Sequence, residues 1–350
     1  MKHIKEPDTQ EFLEETEPNE HLDSDTAEEL EAREERVPSY RKINYKLRPA
    51  KTIERKMMAE LYLSLSAFES LRNYRYVGLG SPFFSDFILC HKNLGINEMY
   101  SIEKNKRDEK RFNFNLPYKC IQMMYGTTSE ILPNLPWDKR AIVWLDYDGK
   151  FTLTMLEDIR YLVGSLISGS IFSISFNCNY GERFDRSKEK FQKLKDEFGS
   201  KIPPNIKTRN MTSNELPKVF QTIINNEIVS LLKRKNFGVS EEDHLHYEQL
   251  FNFTYADGVL MQTIGGIVYS EREKDKFKDS RFSEYSFVRN GVDPFHIHAP
   301  NLTIRELRYL DTQLPSIDIK EIEKYGIPEQ DVELYSKYYR YFPTFAEIDY

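Results

Sequence analysis

The stretch YRYVGLGSPFFSDF, residues 74–87, decides the fold class of this protein. A run of aromatic and β-branched residues leads into a turn that contains Gly78 and Gly80, and a helical pattern follows. This order is typical of the first strand–turn–helix unit of a mainly parallel α/β sheet. Glycine lets the backbone amides of such a turn approach a ligand. A tight turn also needs glycine when nothing binds, so the motif leaves both roles open.

Short apolar runs alternate with helical patterns after this stretch. Four further parallel strands are predicted at MYSIE (99–103), CIQMMYG (120–126), AIVWLDYDG (141–149) and SIFSISFNCN (170–179). FNFTYADG (251–258) and VLMQTIGGIVYS (259–270) then predict an antiparallel hairpin around a Tyr-Ala-Asp-Gly turn. The predicted fold class is therefore α/β, a Rossmann-like methyltransferase sheet of five parallel strands plus a C-terminal hairpin, with helices on both faces. Dinucleotide-dependent dehydrogenases have six parallel strands instead.

The negative charge of the chain is concentrated at its N-terminus. The 350 residues carry a formal net charge of −7, but residues 1–36 alone hold 14 acidic and 4 basic side chains. Such a segment buries too little apolar surface to offset its chain entropy, so it is predicted to be a disordered acidic tail. Residues 37–310 are predicted to form the main domain and residues 311–350 a helical, tyrosine-rich appendage.

Nothing in the sequence predicts membrane insertion or secretion. No stretch reaches the roughly 18 apolar residues of a spanning helix, and the N-terminus lacks the apolar core of a signal peptide. Cys90, Cys120 and Cys178 lie far apart in apolar or mixed segments, as buried cysteines in a reducing compartment do. We therefore expect a cytoplasmic protein.

Residues 41–56 form a basic segment that leads into a helix after Pro49. Its candidates for contact with a substrate, a nucleic acid or a protein partner are Arg48, Lys51 and Arg55. Cations and interleaved tyrosines are typical of surfaces that grip phosphates and bases, although a solvated helix face has the same composition. The acidic tail is either a solubilising segment or an arm that masks this basic segment or docks on a partner.

A nucleotide-containing cofactor is predicted at the ends of the first three strands. Gly78, Gly80 and Ser81 form the first turn, and Glu103 ends the next strand, where a carboxylate accepts hydrogen bonds from ribose hydroxyls. An unphosphorylated ribose fits, so NAD and S-adenosylmethionine remain open and NADP does not. In the following loop Gly126 and Thr127 either border an adenine ring or begin a helix, with Thr127 or Thr128 as its N-cap.

The fourth strand ends in Asp146-Tyr147-Asp148, the strongest candidate for an active site, with a turn of solvated carboxylates as the alternative. An apolar strand has no structural need for these residues at its carboxyl end, which is the edge where open α/β sheets bind ligands. Asp146 is predicted to orient or deprotonate a nucleophile, Tyr147 to stack on a ring, and Asp148 to position a polar group or a divalent ion. Asn177 and Asn179 follow the fifth strand and are predicted to line the same edge.

Two pairs of histidines have the spacing i, i+2, which permits chelation of a metal from a strand. They are His244 with His246 and His296 with His298. Neither pair has a cysteine or a third histidine nearby, so no metal site is predicted.

The segments RPAKTIERKM, YRYVGLGSPFFSDFILCHKNLGI, MYSIEKN, IVWLDYDG and FTYADGVLMQTIGGIVY together resemble a bacterial family of O-methyltransferases, over roughly residues 44–310. The resemblance implies S-adenosylmethionine as cofactor, with Gly78 and Gly80 in the glycine loop, Glu103 on the ribose and Asp146 in the fourth-strand motif. The chain departs from the usual glycine motif at Tyr76, where an acid is common, and at Pro82, where a third glycine is common. Its Asp-Tyr-Asp-Gly also differs from the Asp-Pro-Pro-Tyr of amino-methylating DNA enzymes.

The leading hypothesis is a methyltransferase that uses S-adenosylmethionine and acts on a macromolecular acceptor. The alternative is a catalytically weak or inactive subunit of the same fold, which serves as a scaffold or ligand sensor in a bacterial complex, including a defence assembly. An NAD-dependent oxidoreductase is disfavoured by the terminal hairpin and by the lack of a catalytic histidine or Tyr-x-x-x-Lys pattern.

Overall fold

The computed structural model describes residues 48–181, 185–317, 322 and 325–343. The predicted acidic tail, residues 1–36, and residues 41–47 of the basic segment lie outside the described residues. Within the described part, the strands are β1 (Arg75–Leu79), β2 (Glu98–Glu103), β3 (Ile121–Tyr125), β4 (Ala141–Lys150), β5 (Ser170–Asn177), β6 (Leu245–Ala256), β7 (Leu260–Ser270) and β8 (Phe295–Ile297).

The eight strands form one sheet in the order β3-β2-β1-β4-β5-β7-β6-β8. Strands β1 to β5 are parallel, and β7 runs antiparallel to both β5 and β6. This arrangement confirms the predicted five parallel strands and C-terminal hairpin. The chain order reverses between β1 and β4, and open α/β sheets bind ligands outside the carboxyl ends of the strands at such a reversal. We call this position the crevice.

Two strand predictions need correction. Strand β6 begins at Leu245, six residues before the predicted start, because His246, Glu248 and their neighbours pair with β7 although their sequence is polar. The short strand β8 was not counted among the predicted strands, and it pairs in parallel with residues 253–255 of β6. Both corrections concern the far end of the sheet.

The described α-helices are α1 (Pro49–Leu63), α2 (Ser85–Leu94), α3 (Glu109–Phe114), α4 (Thr128–Ile131), α5 (Leu153–Ser165), α6 (Ser187–Phe198), α7 (Leu216–Lys235), α8 (Lys274–Asp279), α9 (Ile304–Gln313) and α10 (Glu329–Tyr338). Pro49 is the first residue of α1, a position where its missing N–H costs nothing. Helices α5 and α7 pack on one face of the sheet, against Val143, Leu145 and Phe172. Helices α1 and α2 lie on the other face, where Phe87 contacts Tyr76 of β1.

The C-terminal helices pack on the sheet and on α1. The Tyr338 hydroxyl of α10 donates to the His296 carbonyl of β8, and the Tyr335 hydroxyl donates to Asp311 of α9. The Lys56 ammonium of α1 donates to the carbonyl of Phe342. Helix α9 runs through residue 310, where the predicted domain boundary falls.

Candidate active site

The ends of β1 and β2 bring Gly80 and Glu103 into contact. The Gly80 N–H donates to the Ile102 carbonyl at 2.6 Å. A Cβ atom on residue 80 would lie 2.9 Å from the Glu103 Cβ, closer than van der Waals contact allows. Glycine is therefore required at position 80 so that Glu103 can occupy the end of β2. Two residues that were predicted to bind one cofactor are thus neighbours.

Glu103 is a buried carboxylate that retains capacity to accept hydrogen bonds. Only 8% of its surface is exposed. Its Oε1 accepts the Asn105 N–H at 2.7 Å, while Oε2 faces Gly80. Burial raises the pKa of Glu103 to about 7, against the opposing effect of the Asn105 N–H. A ribose diol offers two O–H donors to such an acceptor, so these residues fit the nucleoside end of the predicted cofactor.

Gly80→Ala tests this close contact. We expect a loss of about 1–3 kcal/mol in unfolding free energy, because the new methyl group must push Glu103 out of its place. The measurement is chemical denaturation of both proteins at one pH. Gly164→Ala in α5 is the control, since nothing lies within 4 Å of its new methyl group. Equal stability of the two variants would contradict the assigned contact.

The other residues of the first turn serve the packing of the protein itself. A Cβ atom on residue 78 would lie 2.9 Å from the Tyr76 hydroxyl, so Gly78 makes room for the buried Tyr76 ring. The Ser81 hydroxyl accepts the Phe83 N–H at 3.3 Å within the turn. Tyr76 therefore occupies space beside the glycine motif at the position where an acid is common.

Gly126 and Thr127 begin helix α4 beside Glu103. The Gly126 N–H donates to the Glu103 carbonyl at 3.1 Å, which ties the ends of β3 and β2 together. Thr127 is the N-cap, and its N–H and hydroxyl donate to Glu130 at 2.8 and 2.9 Å. The helix-capping alternative for Thr127 is thus present in the structure, and its side chain is engaged there.

Asp146, at the end of β4, belongs to a group of charges buried under α1. The Lys51 ammonium lies 2.7 Å from Asp146 Oδ1 and 2.8 Å from Glu54 Oε2, and it donates to the Tyr255 hydroxyl at 3.0 Å. It also lies 4.4 Å from the centre of the Trp144 ring, a cation–π contact. The Lys51 and Glu54 side chains are 0% exposed, whereas Asp146 is 19% exposed. Asp146 is therefore the member of the group that reaches the surface of the crevice.

The buried lysine acts on both carboxyl groups, but it outweighs burial only at Asp146. Burial raises the pKa of Asp146, but the Lys51 ammonium, its hydrogen bond, and the charges of Arg55 and Arg48 outweigh burial and lower it below 3.8. For Glu54, burial outweighs the same ammonium, and the pKa is raised. Asp146 is thus an ionised carboxylate at neutral pH.

Polar side chains beneath this group connect β4, β5 and β7. The Trp144 indole donates to Ser175 Oγ at 2.9 Å, Ser175 Oγ lies 2.7 Å from Thr263 Oγ1, and the Thr263 hydroxyl donates to Glu54. The hairpin turn adds Asp257, which accepts the Lys51 backbone N–H at 3.1 Å. These residues hold the N-terminal turn of α1 against the end of β4.

Sequence reasoning missed four residues of this site. They are Glu54, Trp144, Tyr255 and Asp257. The spacing i, i+3 of Lys51 and Glu54 was a signal that both share one face of α1. No signal in the sequence connected that face to Asp146, which is 95 residues away.

The structure turns Lys51 and Arg55 inward, which differs from the expected phosphate-binding surface. Lys51 is paired with Asp146, and the Arg55 guanidinium donates to Asp86 of α2 while only 7% of the residue is exposed. Arg48 is half-buried, with its Nε 3.6 Å from Asp257. A nucleic-acid contact through Lys51 or Arg55 would require them to leave carboxylate partners inside the protein.

Tyr147, Asp148 and Asn177 lie in three different environments. The Tyr147 hydroxyl donates to Asp158 of α5 at 2.5 Å and lies 2.9 Å from the Thr128 hydroxyl, so it connects α4 with α5. Asp148 is exposed at the crevice and raises the pKa of Glu103 through its charge. Asn177 accepts the Asn179 N–H at 2.8 Å in a turn beyond β5. The structure therefore places Asp146, Asp148 and Glu103 along one edge of the sheet.

His244 and His246 lie at the start of β6, at the opposite end of the strands, whereas His296 and His298 lie at the carboxyl end of β8. His246 pairs with Glu271 at 2.8 Å, and His296 Nδ1 lies 2.6 Å from the Thr254 hydroxyl. Among the residues described, no three His, Cys, Asp or Glu side chains gather as a metal site would require. No helix in the described ranges is long and apolar enough to cross a membrane.

The strand order, the glycine turn beside Glu103 and the carboxylate that ends β4 define the class of this protein: a fold of the S-adenosylmethionine-dependent methyltransferases. The chain belongs to the family described as "Putative O-methyltransferase", which matches residues 43–350. This match confirms the family resemblance.

Solved structures with a similar fold include methyltransferases and a related transferase. Spermidine synthase from Thermotoga maritima is 10% identical, with 70% of this chain and 67% of that chain covered and a TM-score of 0.36. An S-adenosylmethionine-dependent methyltransferase from Mesorhizobium loti is 17% identical, with 35% and 56% covered and a TM-score of 0.28, so the match spans little more than half of that protein. The plantazolicin methyltransferase BpumL, solved with SAH, is 10% identical, with 62% and 84% covered and a TM-score of 0.33. A comparison with curated proteins finds no match.

Proposed function

We propose that this protein transfers the methyl group of S-adenosylmethionine to a hydroxyl oxygen of an acceptor held beside Asp146. The observation that carries the proposal is the ionised, partly exposed Asp146 carboxylate on the same sheet edge as Gly80 and Glu103. One edge thus offers a site for a nucleoside and, next to it, an acceptor of a hydrogen bond from the substrate.

The residues that would hold the cofactor are Glu103, for the ribose diol, and the turns at Gly80 and Gly126. When bound, the cofactor supplies an electrophilic methyl group on a sulfonium. The chain contributes position, since methyl transfer needs the acceptor oxygen aligned with that group and little acid–base machinery.

Asp146 is suited to orient the acceptor hydroxyl. Its pKa is lowered by Lys51, so it accepts a hydrogen bond throughout the neutral range but is a weak base. In the transfer, the C–O bond would form as the S–C bond breaks, S-adenosylhomocysteine would be the leaving group, and the acceptor's proton would pass to the Asp146 carboxylate and from there to water. Until the proton leaves, the ionised carboxylate stabilises the positive charge that develops on the acceptor oxygen. Lys51 acts through Asp146 as a positioning residue.

A second candidate function is that of a ligand-sensing or scaffold subunit with little catalytic activity. The observation in its favour is Tyr76, whose hydroxyl covers Gly78 at the glycine motif. Calorimetric titration with S-adenosylmethionine and S-adenosylhomocysteine, followed by a screen of hydroxylated acceptors, separates the two. No binding by the folded protein would exclude the proposed enzyme, and binding without any methyl transfer would favour the sensor.

The affinity for S-adenosylhomocysteine is expected to fall about tenfold from pH 8 to pH 6. Glu103 titrates near pH 7, and only its ionised form accepts both ribose hydroxyls, so protonation at the lower pH removes binding-competent protein. Titration calorimetry at the two pH values measures this change. Glu103→Gln is the control, and it is expected to lose the part of the pH dependence that comes from residue 103. An unchanged pH dependence in that variant would contradict the assigned role.

A further inference from the structure

Residues 104–111, KNKRDEKR, form a basic surface directly after Glu103. They hold five basic and two acidic side chains, in the loop after β2 and the first turn of α3. Lys104, Lys106 and Lys110 are exposed. This surface, which we call the β2–α3 surface and which includes Phe114, continues the sheet edge that carries Glu103.

Three lysines of the β2–α3 surface lack an ion-pair partner among the described residues. Lys104, Lys106 and Lys110 form no ion pair with any residue that the structure describes, whereas the lysines of α8 do. Lys274, Lys276 and Lys278 lie 2.6–2.8 Å from Glu271, Glu273 and Asp275, each three positions before its lysine. The lysines of α8 are therefore paired within their own helix region, whereas Lys104, Lys106 and Lys110 have no such partner among the described residues.

An exposed phenylalanine lies close to these lysines in the sequence. Phe114 is 88% exposed at the end of α3, while Phe112 anchors the same helix in the core. Lys110 and Phe114 are four residues apart, so they lie one above the other on the same helix face. Phe114 thus presents an accessible ring next to a lysine without an ion-pair partner among the described residues.

We propose that the β2–α3 surface binds single-stranded nucleic acid. Unpaired lysines attract phosphates, and an exposed ring stacks on unpaired bases, a combination typical of proteins that bind single strands. A duplex keeps its bases stacked on each other and would engage the lysines alone. The strand would lie beside the Glu103 end of the crevice, and this binding does not depend on the proposed methyl transfer.

The test of charge is fluorescence anisotropy with labelled 20-nucleotide poly-dT and poly-rU at several salt concentrations. Lys106→Glu with Lys110→Glu is expected to weaken binding at least tenfold and to reduce the slope of log affinity against log salt by about 1.4, since two phosphate contacts are lost. Lys274→Glu with Lys278→Glu makes the same change of net charge on α8 and is expected to have little effect. Equal loss in both double variants, or no binding by the wild type, would overturn the proposal.

The test of stacking compares two exposed phenylalanines. Phe114→Ser is expected to weaken single-strand binding about tenfold, whereas Phe237→Ser, which changes a residue that is 89% exposed at the end of α7, is expected to leave it unchanged. Heparin or a DNA duplex bound as tightly as the single strands, with no effect of Phe114→Ser, would overturn recognition of a single strand and leave general polyanion binding. S-adenosylhomocysteine titration and circular dichroism on each variant show that the fold and the cofactor site are intact, so failure here is distinct from failure of the proposed enzyme.

Discussion

Lys51→Met is expected to lower the free energy of unfolding at pH 7 by about 3–5 kcal/mol, the usual cost of removing one partner of a buried ion pair. Lys51 is the cation between Glu54 and Asp146, and all of its side chain is buried. Methionine fills much the same volume but leaves one buried and one nearly buried carboxyl group facing each other. Urea denaturation followed by circular dichroism measures the loss.

Two controls separate charge from packing in this experiment. Lys278→Met removes a lysine that is 64% exposed and paired on the surface, so little change is expected. Lys51→Met combined with Glu54→Met removes both fully buried ionisable groups, and we expect it to be more stable than Lys51→Met alone. A double variant that is less stable than the single variant would show that packing, not charge, explains the loss.

The free energy of unfolding should depend on pH differently in the wild type and in Lys51→Met. In the wild type the folded-state pKa of Asp146 is depressed, so its stabilising contribution is present above the ordinary value of 3.8 and is lost as pH falls below it. Without Lys51 the pKa of Asp146 should rise through burial, and the variant should gain stability as pH falls from 7 to 5. The difference in unfolding free energy between the wild type and Lys51→Met is therefore expected to become smaller from pH 7 to pH 5. A difference that stays constant would contradict the ion pair between Lys51 and Asp146.

Glu103→Ala is expected to weaken binding of S-adenosylhomocysteine at pH 8 by about 100-fold, because two hydrogen bonds from the ribose to an ionised carboxylate are lost. At pH 8 most of the wild-type Glu103 is ionised, given its pKa of about 7. Titration calorimetry measures both proteins under the same conditions. Glu103→Gln, which keeps one carbonyl acceptor, should fall between them.

Loss of the fold is not expected to account for that result. The folded-state pKa of Glu103 is raised, so its ionisation opposes folding at pH 8 and its removal should not lower stability. Glu242→Ala, at a side chain that is 77% exposed, is the control for removal of one carboxylate. Wild-type affinity in Glu103→Ala would place the nucleoside elsewhere and remove the proposed cofactor site.

The order of strands and the family were available from the sequence. Strand β4 begins with a continuous apolar run, AIVWL at 141–145, because both of its faces are buried, and such a run is easy to recognise. Strand β5 is also buried on both faces, although Ser170, Ser173 and Ser175 interrupt its apolar residues. The start of strand β6 was predicted six residues too late because its first residues are polar. They pair only with β7, so their other side faces water. Edge strands carry a weaker pattern for this reason.

The residues at the carboxyl ends of the strands were also found in the sequence, because their positions follow from the parallel sheet alone. Gly80 directly follows β1, Glu103 ends β2, and Asp146 is the last residue of β4 before its regular pairing with β5 is interrupted. Parallel strands bring such positions to one edge of the sheet. The sequence did not predict that the basic side chains of α1 face the protein interior. The sequence presents Lys51 and Arg55 as ordinary basic residues of an amphipathic helix, and only the tertiary structure places Asp146 and Asp86 beneath them. Local periodicity determines which residues share a helix face. The partner of a buried charge depends instead on packing between segments that are far apart in the chain. That packing determines whether a lysine is available to a ligand or holds a carboxylate in place.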